Sequence, residues 1–238
     1  MIHIQNLTKK FHRFTALKDI NLDFKKGESI ALIGPNGCGK TTLIKSILGL
    51  NVVEQGSISV NGKSVMEDYH YREQIGYMPQ IGRYPENMSI GQTIQMIQSI
   101  RNVPKAQLDT ELMDAYELEQ LFDKKMSTLS GGTTQKVSAV LAFMFNPNIV
   151  ILDEPTAGLD PLAAEILKQK IIKEKNNGKL IIITSHLLSE LEDIITQIVF
   201  MNEGQVMVHQ SVEQLKVETG QATISEAITT ILKKMKYA

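Results

Sequence analysis

The stretch Gly34-Pro35-Asn36-Gly37-Cys38-Gly39-Lys40-Thr41-Thr42 fits the pattern G-x-x-x-x-G-K-[ST], and its neighbours supply the setting that pattern requires. Before it, Ser29-Ile30-Ala31-Leu32-Ile33 reads as a short buried strand. After it, Leu43-Ile44-Lys45-Ser46-Ile47-Leu48 reads as a helix that stops at Gly49. A polyphosphate needs many donors close together, and side chains would hold the backbone too far away. Gly34, Gly37 and Gly39 permit positive φ and close approach, so that successive N–H groups point into one concavity. The helix beginning near Lys40 adds its dipole and free N–H groups. Lys40 supplies a point charge for the β- and γ-phosphates, and the Thr41 hydroxyl can ligate Mg²⁺. Pro35, Asn36 and Cys38 fill the free positions, and Thr42 continues the first helical turn. An ordinary glycine-rich turn would not require every fixed position in this context, so the loop is expected to bind a nucleoside triphosphate.

The rest of the chain sets the class. Its 238 residues suit one large domain, and 42% hydrophobic with 21% charged residues is ordinary for a globular protein. A formal net charge of -1 offers no basic excess, which argues against a nucleic-acid binder that works by neutralising phosphates. The single Cys38 rules out an internal disulfide and fits a reducing compartment. The opening Met1-Ile2-His3-Ile4-Gln5-Asn6 carries no secretory signal, and the longest apolar run, Val140 to Phe145, is far short of the ~18 residues of a spanning helix. No direct transmembrane segment is expected.

Outward from the glycine loop, residues 1–33 read as edge strands. Ile2, Ile4 and Asn6 alternate with His3, Gln5 and Leu7. Ala16, Lys18, Ile20, Leu22 and Phe24 alternate with Asp19, Asn21 and Asp23. Phe11 or Phe14, between these strands, can stack on a purine or simply pack the hairpin. Further short strands follow around Asn61-Gly62, a strong turn signal, and around Gln74 to Gln80. From about 81 to 130 the pattern turns helical, with Ile90, Ile94 and Ile97 on one face and Leu108, Leu112, Ala115 and Tyr116 on another. This block predicts a helical insertion at 81–145 in an α/β core formed by 1–80 and 146–238. Toward the end, Asn202-Glu203-Gly204 predicts a hairpin and Ser225 a helix cap.

The second chemical element is Ile149-Val150-Ile151-Leu152, an aliphatic run typical of a central parallel strand, which delivers Asp153 and Glu154. An acidic pair at a strand end often does no more than cap a helix. Beside a phosphate loop it reads as catalytic: Asp153 holds Mg²⁺ through water, and Glu154 polarises the attacking water.

The order of these motifs resembles the ATP-binding subunit, or nucleotide-binding domain, of an ABC transporter across essentially the full chain. Gly34–Thr42 matches the phosphate loop, Gln80 the glutamine loop and Leu129-Ser130-Gly131-Gly132 the family signature. Ile149–Glu154 matches the acidic strand, Ala157-Gly158-Leu159-Asp160 the D-loop and His186 the switch histidine. The resemblance implies an α/β P-loop NTPase (RecA-like) fold: a parallel sheet core, an antiparallel β subdomain and an inserted helical subdomain. It implies an ATPase whose cofactors are ATP and Mg²⁺. Glu154, His186 and Gln80 would be catalytic. Thr41, Gln80 and Asp153 would attend the metal. Phe11 would stack on adenine.

Ser130, Gly131 and Gly132 open a helix, so its N-terminus is a second anion site. In the family it caps the γ-phosphate of the opposite subunit, and Asp160 sits at the same junction. The implied partners are a second copy of the chain and separate transmembrane permease subunits, with no nucleic acid. The implied location is cytoplasmic, on the inner face of the cell membrane. Thr133 stands where the family usually has Gln, and Lys136 where it often has Arg. Tyr77 to Met88 is similar to the ATPase of the copper-processing transporter that matures nitrous oxide reductase, and also fits the drug-, lipid- and sodium-export branch. Ile81 to Met88 is either where the membrane partner docks or an exposed loop. The alternatives are a soluble ABC-type switch, whose relatives carry two cassettes or coiled-coil insertions, and another phosphate-loop enzyme such as a small-molecule kinase.

Overall fold

The opening alternation folds into an antiparallel hairpin of β1 (Ile2–Phe11) and β2 (Phe14–Phe24). A computed structural model describes residues 1–185 and 191–236, with side chains to 233. The chain forms two units, residues 1–71 with those from 180 onward, and residues 72–179.

In the first unit, β4 (Gln55–Val60) pairs with β1, and β5 (Lys63–Ser64) completes an antiparallel sheet in the order β2-β1-β4-β5. Asn61 and Gly62 join β4 to β5 with φ of 51° and 80°, the twist that a two-residue hairpin favours. Strict alternation predicts Ile4 and Leu7 on opposite faces, yet both are buried. Asn6 takes a left-handed φ of 46° and shifts the register between them. Asp19 repeats the device in β2 at φ 49°, which buries Leu17 and Ile20 and turns Lys18 outward. Asn and Asp tolerate that conformation better than other side-chain-bearing residues, so a strand can insert a bulge there and keep its apolar side inward.

The same unit holds β3 (Ser29–Ile33), flanked in parallel by β8 (Leu180–Thr184) and β9 (Gln197–Asn202). Strand β10 (Gln205–Ser211) runs antiparallel to β9. Every residue of β3 and β8 is buried, which is why these strands read as continuous aliphatic runs. The glycine loop leads from β3 into α1 (Lys40–Ile47). At the far end lie α6 (Val212–Thr219) and α7 (Ile224–Lys236). Ser225 does not cap α7: it already lies inside the helix, and the Thr223 hydroxyl accepts from Glu226 N at 3.3 Å instead.

The second unit pairs β6 (Ile75–Met78) in parallel with β7 (Ile149–Asp153). Its helices are α2 (Ile90–Arg101), α3 (Glu111–Ala115), α4 (Gly131–Phe143) and α5 (Pro161–Asn176). Ser89 and Gln92 close a capping box on α2, and Asp160 caps α5 by accepting from Ala163 N at 2.8 Å. The second predicted helical face is cut short. Glu117 turns left-handed at φ 51°, so α3 has five residues, and Met113 rather than Ala115 joins Leu112 and Tyr116 inside. Gly76 lets α4 rest directly on β6, because a Cβ there would stand 1.9 Å from the Ala142 carbonyl oxygen. These parallel strands, the antiparallel sheet and the helix-rich segment make the α/β class expected.

Lys170 of α5 is the ionic centre of the second unit. Its side chain is 2% exposed, and Nζ lies 2.7 Å from Glu111 and 2.8 Å from Glu174, with Asp109 closer still. Burial works against the ammonium charge, but the three carboxylates overcome it and raise its pKa. Burial likewise opposes the Glu174 charge, and Lys170 and Lys179 hold its pKa below the usual value. We expect Lys170→Met to cost about 3 kcal/mol of unfolding free energy in urea titrations, because it removes the ammonium shared by Asp109, Glu111 and the buried Glu174 and leaves Glu174 with Lys179 alone. A depressed carboxylate pKa adds stability above the ordinary carboxylate range and loses it as the pH falls. The variant should therefore lose part of the acid-side slope that the parent shows.

Candidate functional site

The loop from Gly34 to Thr42 belongs to the first unit and is shaped by what its glycines lack. Gly34 has φ 149°, and a Cβ on it would stand 2.1 Å from the Met201 carbonyl oxygen. Gly39 has φ 111°, and its Cβ would meet the Ala16 carbonyl oxygen at 2.8 Å. Gly37 has open space around it, and only its φ of 78° asks for glycine. The loop is laced to the β9–β10 hairpin by Gly204 N donating to the Cys38 carbonyl at 3.0 Å. Pro35, Asn36 and Gly37 face solvent, while Cys38 is buried.

Helix α1 starts at Lys40 with no side-chain cap, so its first N–H groups turn toward the loop. Lys40 Nζ folds back over the loop and donates to the Gly34 carbonyl at 2.7 Å and the Pro35 carbonyl at 3.2 Å. Thr41 is exposed and Thr42 half-buried at the helix start. An ammonium group, free helical N–H groups and backbone concavity together make a cradle for a multiply charged anion. Phe11 ends β1 with its ring 44% exposed.

The second unit carries the acids. Strand β7 is buried throughout and delivers Asp153, 4% exposed, at its end. Glu154 follows with a left-handed φ of 52°, an uncommon conformation for a side-chain-bearing residue that turns the chain sharply off the strand. Gln80, just past β6, donates from Nε2 to Glu154 Oε2 at 2.9 Å, so the predicted glutamine and glutamate do meet. Burial, with the Asp153 charge second, pushes the Tyr77 phenol up to about 12.

Ser130 caps α4, its hydroxyl accepting from Thr133 N at 3.2 Å. Thr133 also places its own hydroxyl 2.9 Å from Ser130 Oγ, a contact that the sequence did not signal. Ser130 and Gly131 are exposed, and a Cβ on Gly131 would meet nothing within 4 Å. Gly132 differs: its Cβ would lie 2.7 Å from the Gly158 carbonyl oxygen. Four residues on, Lys136 reaches Asp160 Oδ2 at 2.8 Å. That pairing, and then the Ala163 amide, hold the Asp160 carboxyl below its usual range. The helix that starts at Ser130 is thus fastened to the turn before α5 at two points. Lys136 was visible in the sequence only as a departure, because residues 136 and 160 are too far apart for any local pattern to pair them. His186 lies outside the described residues.

Comparison with known proteins agrees with this inventory. A family model described as ABC transporter matches residues 17–157. An uncharacterised ABC transporter ATP-binding protein of Bacillus subtilis, YhaQ, is 31% identical over 229 residues, which is 94% of this chain and 76% of that protein. The human phospholipid-transporting ATPase ABCA3 is 31% identical over 224 residues, 91% of this chain but 13% of that much longer protein. Among solved structures, the ATP-binding subunit of an ABC transporter superposes with a TM-score of 0.89 at 28% identity, covering 96% of this chain and 98% of that one. A dimeric ATP-binding cassette in a post-hydrolysis state with ADP and Pi shares the fold, with a TM-score of 0.78 at 23% identity over 89% of this chain and 99% of that one. Loop, acidic strand, capped glycine helix and full-length similarity agree: the chain belongs to the ABC transporter family and is an ATP-binding, ATP-hydrolysing cassette of it.

Proposed function

We propose that the chain works as a head-to-tail dimer that powers transport through separate membrane-spanning subunits, on the cytoplasmic face of the membrane. The observation that carries this reading is Gly131. Among the described residues a Cβ on Gly131 would meet nothing within 4 Å, yet it follows an exposed Ser130 at the start of a 13-residue helix. A glycine that its own fold does not require leaves room for an approach from outside, and a helix N-terminus suits an anion. The triphosphate cradled by a second copy supplies both.

In this reading Gly34 to Thr42 hold ATP by backbone donors and Lys40, and Phe11 stacks on the base. Ser130, Gly131 and Gly132 cap the γ-phosphate of the partner copy, with Asp160 at the junction. Glu154 orients and polarises the attacking water, whose oxygen bonds to the γ-phosphorus as the bond to ADP breaks. Gln80 holds the Glu154 carboxylate, and His186 contacts the γ-phosphate. The Thr41 hydroxyl, the Asp153 carboxylate and the Gln80 carbonyl are hard oxygen donors of the kind Mg²⁺ takes. When bound, that ion neutralises charge building on the phosphates.

Residues 81–145 act as the helical insertion that faces the membrane partner. Ile81 is 71% exposed, and Arg83 is exposed beside it. Tyr84 anchors this stretch to α4 through a 2.9 Å contact with Ser138. The copper-processing subtype rests on Tyr77 to Met88 alone. The relatives compared above are an uncharacterised ATP-binding protein and a phospholipid-transporting ATPase.

Three measurements test the proposal. Glu154→Gln should lower kcat at least a hundredfold, in line with losing a positioned base, and leave an ATP-bound dimer visible by size-exclusion chromatography. Unchanged turnover would refute the assignment. Cysteines at Ser130 and at Asn36, in a Cys38→Ser background, should crosslink between copies only with ATP present. Charge reversal, Arg83→Glu, should weaken co-purification with a co-expressed membrane subunit while leaving ATP binding unaltered.

A further inference from the structure

Phe11 stands at the tip of the first hairpin, opposite Phe14 in the β1–β2 register. One face of its ring carries a charge: Lys9 Nζ lies 4.8 Å from the ring centroid. Lys9 is itself fixed, 8% exposed, with Nζ donating to Glu54 Oε1 at 2.8 Å. Glu54 is fixed in turn, because its Oε2 accepts from Lys10 N at 2.9 Å and its own N–H donates to the Thr8 carbonyl at 3.3 Å. Phe11, Lys9 and Glu54 therefore form a stack anchored to the backbone at its base. Two residues beyond Phe14, the Ala16 carbonyl oxygen stands where a Cβ on Gly39 would come within 2.8 Å. The hairpin tip thus adjoins the phosphate loop of the same unit. Phe14 is 63% exposed, and no cation sits on its ring among the described contacts.

We propose that Lys9 is a positioning and specificity residue for the nucleotide base. From beneath, it holds the Phe11 ring at a fixed angle, so that the opposite face meets the purine already ordered. Its charge also draws π-electron density toward the covered face, and the electron-poor free face then stacks better on an electron-rich purine. The inference rests on the reading of Phe11 as the base platform and adds the residue that makes Phe11 rather than Phe14 suitable. Glu54 belongs to the same device, because it keeps the Lys9 ammonium under the ring instead of in solvent.

The test uses the full chain with Lys9→Met, Lys9→Arg, Glu54→Gln and Phe11→Ala. ATP and inorganic tripolyphosphate, which has no base, are compared by calorimetry, and ATP hydrolysis is measured alongside. Lys9→Met should raise Kd and KM for ATP about two- to fivefold, the worth of a partly exposed cation–π contact. It should leave kcat and the tripolyphosphate Kd unchanged, and Lys9→Arg should restore ATP affinity. Equal losses for ATP and tripolyphosphate, or wild-type ATP binding by Lys9→Met beside a weakened Phe11→Ala, would overturn the role of Lys9. Wild-type ATP binding by Phe11→Ala would instead overturn the platform reading, and the role of Lys9 with it. Should Lys9→Met fail to fold, Glu54→Gln decides: loss confined to ATP supports the device, and no loss refutes it.

Discussion

Peptide N–H groups can surround a triphosphate only where the chain gives up its β-carbons, and that constraint runs through the first unit. Gly34 and Gly39 are wedged against carbonyl oxygens of Met201 and Ala16, at 2.1 and 2.8 Å from where a Cβ would stand. The loop thus has its shape imposed by two other strands as well as by its own torsions. β3 and β8 are buried along their length, so the strand that launches the loop is held on both sides. Lys40 can then fold over a concavity that is already formed, and little ordering remains for the moment of binding.

The second unit solves a different problem, which is how to present a helix start and an acidic strand end in fixed positions. Gly76 brings α4 down onto β6, Gly132 brings its first turn against Gly158, and Lys136 adds an ion pair to Asp160. Two of these three ties are absences of a side chain, which gives close packing without the entropy of ordering one. Tyr116 adds a fourth: its buried hydroxyl donates to the Ala163 carbonyl at 3.0 Å, and its ring lies 5.7 Å from Lys136 Nζ. Helix α4, the short helix before it and the start of α5 consequently meet around one lysine.

The sequence exposed the motifs more clearly than the path between them. The phosphate loop and the aliphatic acidic strand were legible because each is a local pattern with a local physical cause. Strand faces were legible only in part, because Asn6 and Asp19 each insert a left-handed residue that resets the alternation. The end of α3 was hidden for the same reason, since Glu117 turns left-handed without being Gly or Asn. The capping of α7 went to Thr223 instead of Ser225, one of two equally suitable hydroxyls two residues apart. Pairs such as Lys136 with Asp160, or Lys170 with Glu111, carry no sequence signal, because only tertiary packing decides which opposite charges meet.

The lacing of the glycine loop to the hairpin after β9 has a genetic consequence. Met201 presses on Gly34 and Gly204 donates to Cys38, so the cradle is walled by residues far along the chain from its own motif. At Gly204 a side chain would meet the Ala16 carbonyl oxygen at 2.7 Å, so a substitution there disturbs the wall of the cradle although it lies outside the glycine motif itself.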